Sequence, residues 1–126
     1  MSEHATASIR SMPELDRRKH LSEMVRVAER EWAACEDNAS RLEEGRSILM
    51  AEMKLNLRAE GLAKSQAEAE DMAKISDQFK GYVRKMHDAR RAANDARAEW
   101  RAVERDYFDN VTAEAAERAQ MRMARS

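Results

Sequence analysis

The second half of this chain carries basic side chains at helical spacing. Between positions 80 and 108 they lie in a row whose residues follow one another by four and three, with Asn94 and Ala98 between Arg91 and Arg101, which places them on one face of an α-helix. No acidic residue interrupts the row, and an aromatic residue stands at its end. Cationic groups in a line can follow a phosphate backbone, and an aromatic ring can stack on a base. The predicted nucleic-acid-binding residues are Lys80, Arg84, His87, Arg91, Arg101, Arg105 and Phe108, of which we call the first six the basic row.

A solvated charged face is the alternative interpretation of the basic row. Asp88 lies beside it on the same helix and weakens its positive field. Two further arginines flank the row, and we expect them to be neutralised from the first half of the chain. The expected pairs are Arg90 with Glu36 and Arg97 with Glu29.

Motifs for catalysis are absent from the sequence. There is no glycine-rich phosphate loop, no H-E-x-x-H, no G-x-S-x-G and no pair of cysteines. His4, His20 and His87 are far apart and are interpreted as surface residues, and Cys35 as a small core residue. We therefore predict no catalytic residue, no metal site, no cofactor and no enzymatic activity.

Two long helical segments must position these residues. Ser11 and Pro13 indicate the start of the first helix, and Gly61 indicates its end. Ser65 and Glu68 form a capping box that begins the second helix. The predicted organisation is a flexible N-terminal tail over 1–12, an antiparallel helical hairpin over 13–120 and a C-terminal tail over 121–126. Within the hairpin, helix one covers about 13–60, the turn 61–65 and helix two about 66–119.

Each segment has a heptad seam that predicts a coiled coil. In the antiparallel register that fills the layers most evenly, each tryptophan faces an alanine and the one seam charge, Arg46, faces Tyr82. On one flank this register brings Glu31 near Glu99, a like-charge pair. The seam residues are Leu21, Val25, Ala28, Trp32, Cys35, Ala39, Leu42, Arg46, Leu49 and Met53 on the first helix. On the second they are Met72, Ile75, Phe79, Tyr82, Met86, Ala89, Ala93, Ala96, Trp100, Val103 and Tyr107.

A second apolar row on the first helix lies off this seam and repeats every seven residues, interrupted by Arg41. An alanine-rich hairpin alone buries little area, so burial of this row against another copy is expected to stabilise a multi-helix homo-oligomer. Packing on a partner protein or on a returning C-terminal segment is the alternative. This apolar row consists of Val27, Ala34, Ile48, Leu55 and Leu62.

Composition agrees with extended helices. Ala, Glu, Lys, Leu and Arg make up more than half of the 126 residues, with only three Gly and one Pro. The net charge of −1 excludes a globally basic protein but not a basic face. No apolar stretch approaches the length of a membrane span, and a single cysteine is compatible with a reducing cytoplasm.

The stretch from Arg41 to Arg105 resembles small helical-hairpin proteins of bacteriophages. The shared features are an E-x-x-R-x-x-L-M pattern, a Gly–Ser turn and aromatic residues in the second helix. In design the chain is similar to UvsY-type recombination mediators, which are helical oligomers that bind single-stranded DNA and help to load a recombinase. FliJ-type secretion-stalk proteins and other coiled-coil chaperones are similar as well. The residues concerned are Glu43, Arg46, Leu49 and Met50, then Gly61 and Ser65, then Phe79 and Tyr82.

These observations favour a cytoplasmic, oligomeric accessory factor of phage recombination or replication that binds single-stranded DNA. A recombinase or a host protein is an expected partner. The alternative function is a protein-binding module, such as a phage inhibitor of a host defence or repair enzyme or a coiled-coil chaperone.

Overall fold

The computed structural model describes residues 12–125, and this range is all-helical, with no strand. Helix α1 covers Glu14–Ala59, α2 covers Gln66–Ile75 and α3 covers Asp77–Arg125. The prediction of an all-α fold is confirmed. The predicted Ser11 cap, His4 and nearly all of the predicted N-terminal tail lie outside the described residues.

Helix α1 ends two residues before Gly61, a glycine in the left-handed conformation, as the sequence predicts. Gly61 has a φ of 77°, which a residue with a side chain rarely adopts. The Leu62 N–H donates to the Leu57 carbonyl at 3.0 Å, and the Gly61 N–H donates to the Arg58 carbonyl at 3.2 Å. This pair of hydrogen bonds is a Schellman motif, which satisfies the last free carbonyls of the helix.

Helix α2 begins with the predicted capping box. The Ser65 hydroxyl accepts a hydrogen bond from the Glu68 N–H at 3.1 Å. The Glu68 carboxylate accepts one in return from the N–H of Lys64 at 3.2 Å. Ala69 and Ala73 are fully buried, so this short helix packs through its alanines.

One residue, Ser76, separates α2 from α3, so the single helix predicted over 66–119 is wrong. Its backbone is extended, with φ −69° and ψ 147°. The Ser76 hydroxyl donates to the Ala73 carbonyl at 2.6 Å and accepts from the Phe79 N–H at 3.2 Å. A serine in this position ends one helix and caps the next, because its side chain replaces backbone hydrogen bonds at both ends.

Helix α3 continues to Arg125, beyond the predicted end near residue 119. Residues 121–125 are therefore helical, whereas a tail was predicted over 121–126. The composition of this stretch explains the difference, because Met, Ala and Arg are all good helix formers.

Two compact units make up the described chain. The continuous unit is Ala33–Asp95, and the split unit combines the described residues through Trp32 with those from Ala96 onward. Within the continuous unit, Ala39, Ala89 and Ala93 form a buried cluster against which Cys35 and Leu42 pack. The predicted seam places these same residues in adjacent layers.

The seam residues of the continuous unit differ from the predicted register around Arg46. Its guanidinium lies over the ring of Phe79, at 5.5 Å from the centroid, rather than against Tyr82. The Tyr82 hydroxyl instead donates to the Leu42 carbonyl at 2.5 Å. Gly45 makes room for this contact, because a Cβ atom there would lie 2.5 Å from the Tyr82 oxygen.

The predicted seam residue Ile75 is not part of a buried seam. Ile75 is 70% exposed, because it is the last residue of α2 and the helical phase restarts after Ser76.

The split unit contains the two tryptophans, which stack on each other. The ring centroids of Trp32 and Trp100 are 5.0 Å apart, and the ring planes are inclined by 9°. The predicted layers, which pair each tryptophan with an alanine, do not include this stacking. Leu21 and Val103 are buried in the same unit. Neither indole N–H has a hydrogen-bond partner within the described residues, so the pair stabilises the unit through ring contact and burial of apolar surface.

A buried carboxylate, Glu114, forms hydrogen bonds elsewhere in the split unit. Glu114 is 3% exposed and accepts hydrogen bonds from Arg18 and Asn110, each at 3.0 Å. Burial acts to raise the pKa of Glu114, but the hydrogen bonds from Arg18 and Asn110 outweigh it and hold the pKa below its usual value. An exposed ion pair between Arg118 and Glu14 lies on the same two helices.

The two helical glycines provide a matched pair of stability variants. Gly81 has open space around its Cα, so Gly81→Ala is expected to raise the free energy of unfolding by about 0.5–1 kcal/mol through helix propensity. Gly45→Ala should lose this gain, because the new methyl group displaces the Tyr82 hydroxyl from Leu42, at a cost of about 1 kcal/mol. Urea unfolding measures both variants.

The background variant Tyr82→Phe separates the two effects. Without the hydroxyl, Gly45→Ala should become stabilising, by about as much as Gly81→Ala. If Gly45→Ala were equally stabilising in both backgrounds, the close approach of Tyr82 to Gly45 would not constrain the fold.

The lowered pKa of Glu114 predicts that the folded chain loses stability in acid. Because its pKa is lowered in the folded chain, its contribution is fully present above the ordinary glutamate pKa of about 4.3 and is lost as the pH falls below it. Unfolding free energies measured from neutral pH into the acid range should fall less steeply for Glu114→Gln than for the parent chain. Glu117→Gln, at an exposed position of α3, is the control and should keep the parent slope. Equal slopes for all three proteins would contradict this assignment.

Candidate nucleic-acid interface

All members of the basic row lie on α3, and the structure leaves each of them exposed. Lys80, Arg84, His87 and Arg91 belong to the continuous unit. At 1.5 Å per residue, these four cover about 16 Å of helix. The remaining members, Arg101 and Arg105, belong to the split unit and are exposed as well.

The cations of the basic row make no ion pair within the described part of the chain. Their ammonium and guanidinium groups therefore keep their hydrogen-bond donors available to solvent or to a ligand. A guanidinium offers five donors in a planar fork that suits phosphate oxygens. The exposed acids Asp88 and Asp95 lie on a neighbouring face of α3 and reduce the local positive potential.

Arg90, in contrast, forms ion pairs with two carboxylates within the continuous unit. Its guanidinium donates to Glu36 at 2.7 Å and to both oxygens of Glu43, at 2.6 and 3.1 Å. The Glu36 pair confirms the prediction, whereas the Glu43 partner was missed. Glu43 follows Glu36 by seven residues and so occupies the same helical face, which a long arginine side chain can span.

Electrostatics around Arg90 agree with this geometry. Hydrogen bonds to Glu43 and then to Glu36 raise the pKa of Arg90 above its ordinary value. The hydrogen bond from Arg90 lowers the pKa of Glu43, and the charge of His87 lowers it further. The expected Arg97–Glu29 pair does not form within the described residues, which leaves Arg97 exposed beside the basic row.

Phe108 presents an aromatic surface next to Arg105. Its side chain is 57% exposed, and its ring packs edge-on against Tyr107 with centroids 5.5 Å apart. The edge contact orients the ring, while most of its surface stays available. An aromatic ring held in this way is suited to stacking against an unpaired base.

The apolar row is exposed along α1 and just beyond it. Its large members are between 55% and 69% exposed, and Ala34 is exposed too. Four of the five members belong to the continuous unit, and Val27 belongs to the split unit. Exposed apolar side chains of this size, spaced by multiples of seven residues, are typical of a helix face that packs against another protein surface.

Other candidate sites are few within residues 12–125. No group of three or more potential metal-binding side chains occurs in this range. None of the helices described there is long and apolar enough to cross a membrane. Cys35 is half-buried in the alanine cluster of the continuous unit.

Comparisons with protein families, with characterised proteins and with solved structures find no match for this chain.

Proposed function

We propose that this protein is a non-enzymatic, oligomeric coiled-coil factor that binds single-stranded nucleic acid through the basic row of α3. The observation that carries the proposal is the contrast between Arg90 and the row beside it. Arg90 donates hydrogen bonds to Glu36 and Glu43, whereas the cations of the basic row are exposed and make no ion pair within the described residues. Phosphate groups are the ligands that complement such a line of cations.

Single strands are favoured over duplex because of Phe108. A duplex keeps its bases stacked on each other, whereas a single strand exposes them to an aromatic side chain. The exposed Phe108 ring follows Arg105 by three residues on α3, so one strand can contact phosphate donors and the ring together.

An antiparallel hairpin is the arrangement of helices that we propose for this function. Three contacts support it, because residues nearer the start of α1 contact residues nearer the end of α3. These are Arg18 with Glu114, Glu36 with Arg90 and Arg46 with Phe79.

Assembly through the apolar row is part of the proposed function. Transfer of exposed Val, Ile and Leu side chains from water to an interface is favourable by about 25 cal/mol per Å² of apolar area. A homo-oligomer would also place several basic rows on one particle, which strengthens binding to a long strand through multivalency.

The resemblance to UvsY-type mediators extends this proposal to a biological role. On that basis we propose a phage accessory protein of recombination or replication, acting in the host cytoplasm together with a recombinase. A role as a protein-binding module, including an inhibitor of a host enzyme or a coiled-coil chaperone, is the second candidate. The exposed Ile48, Leu55 and Leu62 side chains favour it, because a partner protein can bury them as well as a second copy can.

The salt dependence of oligonucleotide binding tests the first candidate. A fluorescent single-stranded oligonucleotide should bind at 50 mM salt and weaken as the salt concentration rises. In Arg84→Gln/Arg91→Gln, binding should be weaker, and the slope of log K against log salt should fall by about 0.7 for each lost phosphate contact. The control Arg30→Gln/Arg58→Gln removes the same charge from exposed positions of α1 and should keep the parent slope. Absence of binding by the parent oligomer at 50 mM salt rules out the proposed activity.

Solution mass tests the assembly. Light scattering should give a multiple of the chain mass for the parent, and a lower mass for Ile48→Glu/Leu55→Glu, because buried carboxylates at an apolar interface are unfavourable. Ser47→Glu/Ala51→Glu adds the same charge at exposed positions outside the apolar row and should assemble like the parent. Far-UV circular dichroism checks that all variants are helical. A monomeric parent, or equal masses for both variants, would exclude the apolar row as the self-association surface.

A further inference from the structure

A second set of cations faces a cleft in the split unit, on α1 rather than on α3. The cleft is open, has a volume of about 480 Å³ and is formed by five residues of α1 together with one aromatic residue of α3. Positions 22, 23 and 26 follow position 19 by three, four and seven residues, so these four share one helix face. The lining residues are Arg18, Lys19, Ser22, Glu23, Arg26 and Tyr107.

Three of these side chains bring available hydrogen-bond donors to the cleft. The exposed Lys19 ammonium makes no ion pair, and the half-buried Ser22 hydroxyl makes no hydrogen bond, within the described residues. Arg26 is 67% exposed, and its ion pair with Glu23, at 3.4 Å, is a weak surface contact. An ammonium, a hydroxyl and a guanidinium on one helix face are donors that suit the oxygens of a phosphate group.

Arg18 forms a fixed wall of the cleft rather than a free donor. Its guanidinium binds the buried Glu114 carboxylate at 3.0 Å and the Glu14 carboxylate at 3.4 Å. These two acids therefore neutralise Arg18 and leave the other cations of the cleft unpaired by α3. The contact also joins α1 to α3 beside the cleft, so the lining is held by the same ion pairs that hold this part of the split unit together.

Glu23 is the acid that opposes an anion in the cleft. It follows Lys19 by four residues and precedes Arg26 by three, so one carboxylate stands against two cations. Glu104, three residues before Tyr107 on α3, is half-buried and does not line the cleft. The cleft therefore keeps a net positive charge, and an anion that takes the place of Glu23 at Arg26 is attracted by both cations.

Tyr107 connects the cleft to the exposed ring at the end of the basic row. Its side chain lines the cleft and meets the Phe108 ring edge-on, with centroids 5.5 Å apart. Around α3, Phe108 lies between Arg105 on one side and Tyr107 on the other, because each residue advances the helix by about 100°. A strand with a phosphate at Arg105 and a base on Phe108 therefore approaches the cleft with its next phosphates.

We propose that this cleft binds a backbone phosphate of a single-stranded nucleic acid, with Lys19, Ser22 and Arg26 as the donors. The strand then passes from α3 onto α1 within the split unit, across the two adjacent aromatic rings. The inference rests on the proposed function and deepens it, because it adds a phosphate site on a helix that carries no member of the basic row.

Neutralising the two cations tests the phosphate contact. In Lys19→Gln/Arg26→Gln, a fluorescent single-stranded oligonucleotide should bind more weakly than to the parent. The slope of log K against log salt should fall by about 0.7 for each lost phosphate contact. The control Arg58→Gln/Lys64→Gln removes one arginine and one lysine from exposed positions of the continuous unit and should keep the parent slope.

Two neighbouring substitutions should act in opposite directions. Ser22→Ala removes a donor to a charged ligand and should weaken binding on the order of tenfold. Glu23→Gln should strengthen binding, because it removes the carboxylate that competes for Arg26. The controls Ser47→Ala and Glu52→Gln make the same changes at exposed positions of α1 in the continuous unit and should leave the affinity unchanged. Far-UV circular dichroism checks that every variant is helical.

Competition by inorganic phosphate separates a strand from a free anion. Phosphate should displace the oligonucleotide no better than chloride at matched ionic strength; much stronger displacement means a site for free phosphate and overturns the assignment to a strand. Equal slopes for Lys19→Gln/Arg26→Gln and its control also overturn the inference. If Arg84→Gln/Arg91→Gln still lowers the slope in that case, the proposed function stands without the cleft. Absence of oligonucleotide binding by the parent at 50 mM salt excludes both.

Discussion

The narrow packing between α1 and α3 in the continuous unit is the constraint on which the other features depend. Ala39, Ala89 and Ala93 form the buried cluster, and alanine side chains bury little area each. Because alanine side chains are small, helices that pack through them approach closely and leave little space for larger groups. The Tyr82 phenol fits only because Gly45 has no side chain. Stability must then come also from contacts outside the alanine cluster, which include Arg90 with its two carboxylates.

Arginine serves two separate purposes in this molecule. Arg18 and Arg90 bind carboxylates, and the pKa of each is raised because it donates hydrogen bonds to them. Arg84 and Arg91 have no such partner in the described chain. The near-zero net charge of the sequence hides this difference, because it counts engaged and available cations alike. A local surface, rather than the total charge, therefore decides which ligand the protein attracts.

Periodicity predicts most of this fold, and local hydrogen bonding explains what it misses. The heptad seam identifies which side chains are buried, and the Gly61 and Ser65 motifs mark real helix ends. The break at Ser76 was missed, because a serine within a heptad pattern is compatible with a continuous helix unless its hydroxyl caps the next one. The exposed state of the basic row and the apolar row was predictable from their angular position on each helix. The individual partners of Trp32 and Tyr82 were not, because ring stacking and the Tyr82–Leu42 hydrogen bond depend on shifts of less than one helical turn.

The stacked pair Trp32–Trp100 also makes the split unit optically distinct. The chain has only two tryptophans, and both belong to this unit. Intrinsic fluorescence and the near-ultraviolet aromatic bands of tryptophan consequently follow the split unit, whereas far-ultraviolet circular dichroism averages over every helix. Two probes that report different parts of one molecule reveal whether it unfolds cooperatively. Coincident transitions mean that the alanine cluster and the tryptophan pair are lost together, and separated ones mean that each unit has a stability of its own.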